Sequence, residues 1–275
     1  MASPSAELRV TDGPDPEPGL YLACPEKKYR SWNAVSQSLL QKAVSPRAVK
    51  LLMEEDHFEY SSAMKVGSAV DARWFGLDED HYVDTPETYD MRTKVGKEWK
   101  AKQEGKVILS KDEAKKCQRC LEALCEHPAS KDIMDTVQGD GSWVQPSAVA
   151  EVLGTLCKGR ADVVTEDGVI WDLKTYGRQL RSERQAGYWA RDRGYHLQAA
   201  LYMRLFASAA QMEEAPSGFG WIVVETNFPW EVSVWRASES LIREGESLLT
   251  ERMRNVADWR RGASGFSSPF VETIS

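Results

Sequence analysis

Apolar residues recur at helical spacing through the first half of the chain and in short runs through the second half. The first half predicts two short helices over 35–55, a helix over 63–76, and a helix from the capping box Ser110–Glu113 to about residue 126. The second half predicts, in order, strands at 147–153, 156–165 and 169–175, helices at 179–192 and 195–210, strands at 219–226 and 230–236, and a helix from 238 to 261. This order predicts an α/β domain with a helical N-terminal part.

Two segments predict irregular structure. Residues 1–20 contain four prolines among acidic residues, which favours a flexible N-terminal arm. Residues 92–106 hold six lysine or arginine residues against two glutamates, so they predict a basic, loop-like stretch. We expect a single domain over residues 21–265, followed by a C-terminal tail at 266–275.

The composition narrows the classes of function. The chain has 275 residues, and its formal net charge of −7 excludes a uniformly basic nucleic-acid coat protein. Any contact with nucleic acid must therefore use local clusters of positive charge. No apolar run approaches the roughly 18 residues of a membrane span, and the N-terminus lacks the apolar segment of a signal peptide. The five cysteines are an odd number, which favours reduced thiols and a cytoplasmic protein.

One segment predicts a β-hairpin that carries the candidate chemistry. Residues 166–168, Glu-Asp-Gly, form a natural three-residue loop with the glycine at the left-handed position. In the register that this loop sets, Asp162 lies opposite Asp172, and Arg160 lies opposite Lys174. All four side chains then share one face. The other face of the hairpin carries the predicted core residues Ala161, Val163, Trp171 and Leu173.

Opposed aspartates have a physical cost that a cation would remove. Like charges directly opposite one another in a sheet are destabilising. A site of carboxylate oxygens suits Mg²⁺ or Mn²⁺, and Lys174 would place a positive charge beside a metal-bound water or a phosphate. A solvated face with an incidental mixture of charges is the alternative, because a one-residue slip in register would separate the two aspartates.

Two motifs connect this hairpin to a known superfamily. Asp162, Asp172 and Lys174 follow the pattern Asp-x(9)-Asp-x-Lys, which resembles the core motif of PD-(D/E)XK nucleases. Gln198 and Tyr202 lie one helical turn apart and resemble the Q-x-x-x-Y signature of the RecB-like branch. The chain also resembles RecE-type phage exonucleases in three segments, VSQSLLQKAVSPRAVK, MRTKVGKEW and VVETNFPWEVSVW. The resemblance predicts a central mixed sheet flanked by helices.

The resemblance also implies metal-dependent hydrolysis of phosphodiester bonds, with Mg²⁺ or Mn²⁺ as the cofactor. The metal ligands that it implies are Asp71, Asp162, Asp172, the backbone carbonyl of Leu173 and, in support, Glu151. An outward-facing strand residue explains Glu151 equally well. Lys174 would stabilise charge in the transition state, and Gln198 and Tyr202 would orient the site or contact the DNA strand.

The motif that contains Asp71 departs from the family pattern. The segment Gly67–Asp71 resembles the G-x-A-x-H helix of the same branch, but it ends in aspartate where the family has a histidine ligand. Aspartate is a good ligand of Mg²⁺, and a buried carboxylate without a cation is costly, so Asp71 is a candidate ligand. The alternatives are a helix N-cap or a salt bridge to Arg73, and with either we expect weakened activity.

A RecE-type enzyme would resect linear double-stranded DNA ends in the 5′→3′ direction and release products with 5′-phosphates. The remaining 3′ overhang would supply a single-strand annealing partner during recombination, in the cytoplasm of a bacterial host if the gene is phage-borne. Relatives of this type form homo-oligomers. The candidate DNA contacts are Arg92, Lys94, Lys97, Arg160, Arg178 and Arg181.

Three other interpretations remain open at this point. An iron–sulfur RecB-like nuclease needs four flanking cysteines, whereas Cys117, Cys120 and Cys125 share one predicted helix, so we expect no cluster. A nuclease of single strands or flaps in replication or repair is compatible with the same motifs. A catalytically silent DNA-binding relative would explain Asp71, but it has no reason to retain an opposed pair of aspartates.

Overall fold

The computed structural model describes residues 13–54, 61–77, 81–137, 141–209 and 216–262. Its helices are α1 (Glu26–Ser31), α2 (Gln37–Lys42), α3 (Pro46–Glu54), α4 (Ser62–Trp74), α5 (Lys94–Ala101), α6 (Lys111–Glu126), α7 (Pro128–Val137), α8 (Glu183–Asp192), α9 (Tyr195–Ala209) and α10 (Glu239–Arg260). Its strands are β1 (Gly19–Tyr21), β2 (Val35–Ser36), β3 (Tyr82–Asp84), β4 (Val107–Leu109), β5 (Trp143–Val144), β6 (Ser147–Val152), β7 (Thr155–Arg160), β8 (Val163–Val164), β9 (Val169–Tyr176), β10 (Gly218–Glu225) and β11 (Val232–Arg236). This order confirms the predicted α/β architecture.

Two sheets organise the domain. The larger sheet has the strand order β11-β10-β9-β8-β5. Strands β9 and β10 run parallel, and the other pairs of this sheet are antiparallel. The smaller sheet has the order β1-β6-β7-β2, and β3 pairs separately with β4. Helix α9 packs on strands of both sheets, so it connects the two parts of the core.

Strand β9 is buried on both faces, as its sequence VIWDLKTY indicates. Helix α4 packs on one face of this sheet, and α9 packs on the other. A strand covered on both faces typically carries a nearly continuous apolar run. The exception within the buried part of β9 is Asp172, which is only 2% exposed.

The predicted hairpin register is confirmed. Val163 pairs with Trp171 and Val164 with Ile170, and Gly168 has the left-handed φ of 76° that the loop requires. The continuation of this register brings Asp162 towards Asp172. The four predicted core residues of the other face, Ala161, Val163, Trp171 and Leu173, are all buried.

The strand predicted at 156–165 is wrong in one respect, because it is broken at residues 161–162. Strand β7 belongs to the smaller sheet and β8 to the larger one. Arg160 therefore pairs with Ser147 in β6, and it does not lie opposite Lys174, which pairs with Val223 in β10. The hydrogen bond from the Ala161 amide to the Pro146 carbonyl (3.1 Å) holds the chain at this change of sheet.

Two segments predicted to be irregular are partly ordered. Thr93 caps helix α5 by accepting from the Gly96 amide, so residues 94–101 of the predicted basic loop are helical. Gly19–Tyr21, at the end of the predicted arm, form strand β1 and pair with β6. The Asn33 backbone amide donates to the carbonyl of Pro14 at 2.8 Å. Residues 13–20 are therefore tied to the domain, because sheet edges offer backbone partners. Residues 1–12 and the predicted tail at 266–275 lie outside the described residues.

None of the described helices combines the length and apolar character needed to cross a membrane.

Candidate active site

Asp172 is the buried centre of the candidate site. Its Oδ1 atom accepts a hydrogen bond of 2.5 Å from Nε2 of Gln198, which α9 positions above β9. Lys174 lies two residues later on the same face of β9, and its Nζ forms an ion pair with Oδ2 of Asp172. Both carboxylate oxygens of Asp172 thus have a partner within the protein.

Asp162 lies in the link between β7 and β8, beside Asp172. Its Oδ2 atom accepts a hydrogen bond of 2.6 Å from the backbone amide of Leu173. Its own backbone carbonyl accepts one of 2.8 Å from the amide of Gln145. The break in the predicted strand therefore fixes Asp162 against β9 from two directions.

Asp71 reaches the same site from α4. Its Oδ2 atom accepts a hydrogen bond of 3.0 Å from Nε2 of Gln145, whereas its Oδ1 atom is buried and has no hydrogen-bond partner. Neither alternative interpretation of Asp71 holds. Ser61 is the N-cap of α4, and Arg73 pairs with Asp84 at 2.8 Å instead.

Gly67 explains how α4 comes close enough for Asp71 to reach the site. A Cβ atom at this position would lie 2.9 Å from Oγ1 of Thr175 on β9. Residues four apart lie on one face of a helix, so the face that contacts β9 through Gly67 also presents Asp71. The glycine of the motif therefore permits the close approach of the helix to Thr175 on the strand.

Asp71 and Asp162 have raised pKa values. Burial and then the charge of Asp172 raise the pKa of Asp71 to about 7. Burial, followed by the charges of Asp71 and Asp172, raises the pKa of Asp162 well above its ordinary value. Burial alone would lower the pKa of Lys174, but the attraction of Asp172 and the other nearby groups outweighs it and raises the pKa.

Gln198 and Tyr202 are both buried on the face of α9 that meets the sheets. A Cβ atom at Gly159 of β7 would lie 2.8 Å from the Tyr202 ring, so this glycine admits the ring. Burial raises the pKa of Tyr202 well above its ordinary value, which keeps the phenol neutral. The two residues of the signature thus lie one helical turn apart. Gln198 is hydrogen-bonded to Asp172, and Tyr202 lines the wall of a cavity.

Asp71 and Asp162 separate two cavities. The first has a volume of about 550 Å³, and its wall includes Tyr202 and Arg160. The second has a volume of about 430 Å³, and its wall includes Lys174. Both cavities are lined by the two aspartates, so a linear polymer that extends from one cavity into the other would pass over the two carboxylates.

The donor set fits a hard divalent cation. It consists of carboxylate and carbonyl oxygens, the ligands that Mg²⁺ and Mn²⁺ prefer. The unpartnered Oδ1 atom of Asp71 is a costly buried acceptor that a cation would satisfy. Among the described residues, no group of three His, Cys, Asp or Glu side chains is placed to hold a metal ion without some movement. Lys174 and Gln198 occupy the oxygens of Asp172, so binding requires a local rearrangement around that residue.

Comparison with known proteins agrees with this geometry. A family model described as a PDDEXK-like domain of unknown function (DUF3799) matches residues 37–265. The chain belongs to this family. No curated protein matches this PDDEXK-like domain significantly.

A solved structure supports the fold of the PDDEXK-like domain. A crystal structure of a candidate exonuclease from Eubacterium rectale matches with a TM-score of 0.62 at 15% identity, over 93% of this chain and 97% of that chain. At this identity the likeness shows the fold. The crystal structure of SSO0001 matches at 12% identity over 78% of this chain and 84% of its own, but its TM-score of 0.25 carries no argument. Together with the family match, the Eubacterium rectale structure shows that the PD-(D/E)XK nuclease core predicted from the sequence is present.

Glu151 does not join the other candidate ligands of the PDDEXK-like domain. It is exposed on β6, opposite Leu156 and close to the turn into β7. The end of β6 that approaches Asp162 is at Ser147, about 13 Å away at ordinary strand rise. This placement favours the outward-facing interpretation and corrects the assignment of Glu151 as a ligand.

The candidate DNA contacts separate into two groups. The exposed members are Arg92, Lys94, Lys97, Arg178 and Arg181. Arg160 differs, because its side chain is 12% exposed and pairs with Glu26 at 2.5 Å. It also donates to Ser147 Oγ and to the Cys24 carbonyl. Arg160 lines the larger cavity, but its charge is already matched by Glu26.

Sequence patterns missed Gln145 and Lys158 of the PDDEXK-like domain. Gln145 has an unusual φ of 45° and connects Asp71 to Asp162. No motif marks it, because its position depends on the break between β7 and β8. Lys158 is 6% exposed, and its Nζ donates to three backbone carbonyls at the end of α1. Its positive charge is thus used inside the fold.

Proposed function

We propose that this PDDEXK-like domain is a metal-dependent deoxyribonuclease that degrades linear double-stranded DNA from its ends. The observation that carries the proposal is the convergence of Asp71, Asp162, Asp172 and Lys174, from three separate segments of the chain, into one polar cluster on and beside the apolar strand β9. Mutual repulsion of the carboxylates costs stability unless a cation binds, so their arrangement favours a catalytic role.

The metal would be held by Asp71, Asp162, Asp172 and the carbonyl of Leu173. Mg²⁺ or Mn²⁺ bound there supplies Lewis-acid activation of the phosphodiester and of the attacking water. Lys174 keeps its proton, because its pKa is raised, and it presents a fixed positive charge to the reacting phosphate.

Gln198 and Tyr202 have separate roles in this proposal. Gln198 fixes the orientation of Asp172 through its short hydrogen bond. Tyr202 remains a neutral hydroxyl on the cavity wall, able to donate to a phosphate oxygen of the DNA. The exposed residues Arg92, Lys94 and Lys97 would contact the phosphates of the entering duplex.

The resemblance to RecE-type exonucleases supports the finer details of the substrate. Resection would proceed 5′→3′, release products with 5′-phosphates and leave a 3′ overhang for a single-strand annealing partner. A homo-oligomer would keep the enzyme on its DNA, and a bacterial cytoplasm would be its setting. A nuclease of single strands or flaps is the second candidate, because the same four side chains would serve it.

The experiment uses a linear duplex labelled at either the 5′ or the 3′ end of one strand, incubated with Mg²⁺ or Mn²⁺. The proposal predicts early release of the 5′ label as short products and gradual shortening of the 3′-labelled strand, with closed circular duplex left intact. Early release of the 3′ label would reverse the polarity. Preferential digestion of single-stranded or flap DNA would favour the second candidate, and inactivity with both metals would favour a silent DNA-binding relative.

A further inference from the structure

Two aromatic side chains stand out on the surface of the PDDEXK-like domain. Phe228 is 87% exposed and Tyr188 is 61% exposed, the highest values among large apolar side chains of the described residues. A fully exposed phenylalanine ring gains no hydrophobic stabilisation from the fold, and its face remains available to a partner.

The Phe228 ring is carried by a well-anchored turn between β10 and β11. The Thr226 amide donates to the Tyr176 carbonyl at 2.9 Å, and Nδ2 of Asn227 donates to the Gly177 carbonyl at 3.0 Å. The turn is therefore attached to the end of β9. Gly177 follows Lys174 by three residues, a separation of about 10 Å at ordinary strand rise.

Three exposed arginines lie in the segment that connects the anchor of the Phe228 turn, Gly177, to the helix that carries Tyr188. Arg178, Arg181 and Arg184 are exposed in the segment that runs from the end of β9 into α8. The Arg184 guanidinium lies over the Tyr188 ring, 5.7 Å from its centroid. Among the described residues, none of the three arginines has a carboxylate within ion-pairing distance. We call these arginines, Tyr188 and Phe228 the aromatic–arginine surface.

We propose that the aromatic–arginine surface binds single-stranded DNA by stacking unpaired bases on Phe228 and Tyr188. The inference rests on the proposed function and specifies which form of DNA lies beside the site. Exposed rings accept the faces of unpaired bases, and nearby arginines neutralise the phosphates between them. Bases inside a duplex are already stacked on both faces, so a duplex would use the arginines and leave the rings without partners.

The position of the surface connects this binding to catalysis. The turn that carries Phe228 is bonded to Gly177, and Gly177 lies about 10 Å along the strand direction from Lys174, so a strand held on this turn lies close to the active site. The surface would therefore hold the unpaired strand at the point where the duplex end opens beside the active site.

The experiment measures DNA binding without cleavage. Lys174→Ala protein in EDTA is titrated into a fluorescently labelled single-stranded 20-mer and into a duplex of the same length, and the anisotropy gives each Kd. Phe228→Ala is expected to raise the single-strand Kd about tenfold and the duplex Kd less than twofold. Phe228→Trp should retain single-strand affinity. The matched control is Val44→Ala, which truncates another exposed apolar residue, 58% exposed, in a different loop.

A base analogue gives an independent readout. Stacking on Phe228 should quench the fluorescence of a 2-aminopurine in the single strand, and Phe228→Ala should restore it. Equal single-strand affinity and equal quenching in Phe228→Ala, Tyr188→Ala and Val44→Ala would overturn the inference. The readout is independent of hydrolysis: a domain that digests DNA but binds equally in all three variants disproves the inference alone. A domain that shows the binding pattern without digesting any DNA disproves the nuclease proposal alone.

Discussion

The Gln145 side chain donates from Nε2 to Oδ2 of Asp71 at 3.0 Å, across 74 residues of sequence. The backbone of Gln145 at the same time donates to the carbonyl of Asp162. One residue with a strained φ of 45° thus orients the carboxylate of Asp71 and holds the backbone of Asp162, while Oδ1 of Asp71 is left without a hydrogen-bond partner. This arrangement is a physical reason to expect a metal-ligand role for Asp71 at the position where the resembled motif has histidine, because the Gln145 amide fixes the direction of the free oxygen.

Loss of the Gln145 amide should weaken metal binding. In Gln145→Ala we expect the affinity for Mn²⁺ to fall about 10–100-fold, the usual effect of removing a group that orients a ligand. A titration of the melting temperature with Mn²⁺ measures it. Gln145→Gly is the control for backbone strain, because glycine adopts φ of 45° freely. An undiminished Mn²⁺ affinity in Gln145→Gly would show that strain, not the amide, is responsible.

Asp71→Asn should stabilise the metal-free protein. The raised pKa values of Asp71 and Asp162 report repulsion in the buried site, and the amide removes one charge. In EDTA we expect a higher melting temperature than for wild type. The stabilisation by millimolar Mn²⁺ seen in wild type should be largely lost. Asp71→His should keep it, and an equal Mn²⁺ response in all three proteins would show that residue 71 is not a ligand.

Gly67→Ala should reduce activity without loss of the fold. The new methyl group would lie 2.9 Å from Oγ1 of Thr175 and push α4, and with it Asp71, away from β9. We expect a fall in the rate of DNA hydrolysis of at least tenfold, since small misplacements of catalytic groups are costly. Thr175→Ala in the same protein should restore much of the rate, whereas Thr175→Val should not. Failure of the alanine rescue would exclude this contact as the cause.

Lys158→Met should destabilise the domain because three carbonyls at the end of α1 lose their donor. We expect a loss of about 2–4 kcal/mol in the free energy of unfolding, measured by urea denaturation. Lys28→Met, at an exposed position of the same helix, is the control.

The stability deficit of Lys158→Met should also depend on pH. Burial lowers the pKa of Lys158 to about 8, against an ordinary value of 10.5. Between these values the unfolded chain binds more protons, so wild type gains stability as pH rises. The deficit should therefore widen from pH 8 to pH 10, and a deficit that narrows would contradict the lowered pKa.

Local patterns in the sequence were enough to predict the hairpin register and the main helices. Gly168 fixes a three-residue loop, and the alternation on either side places Asp162 against Asp172. The capping box of Ser110 and Glu113 is also present at the start of α6. Such features depend on residues close together in the chain, which is why sequence reasoning finds them.

Features that depend on distant contacts were missed. The predicted strand breaks between β7 and β8 because β7 belongs to the smaller sheet and β8 to the larger one. The pairing predicted between Arg160 and Lys174 is therefore wrong. Helix α5 lies in a stretch whose charge suggested a loop, but its Thr93 cap and the burial of Gly96 against Asp90 stabilise it. The role of Gln145 likewise appears only when residues 71 and 145 meet.

The most direct test of the central claim is the rate of hydrolysis of a linear duplex in Mn²⁺ by wild type, Lys174→Ala and Lys42→Ala. Lys42 is exposed on α2, lines neither cavity of the site, and controls for the loss of a lysine. We predict that EDTA abolishes hydrolysis, that Lys174→Ala lowers the rate at least 100-fold, and that Lys42→Ala matches wild type. Equal rates for Lys174→Ala and wild type would contradict the claim that this cluster is the active site.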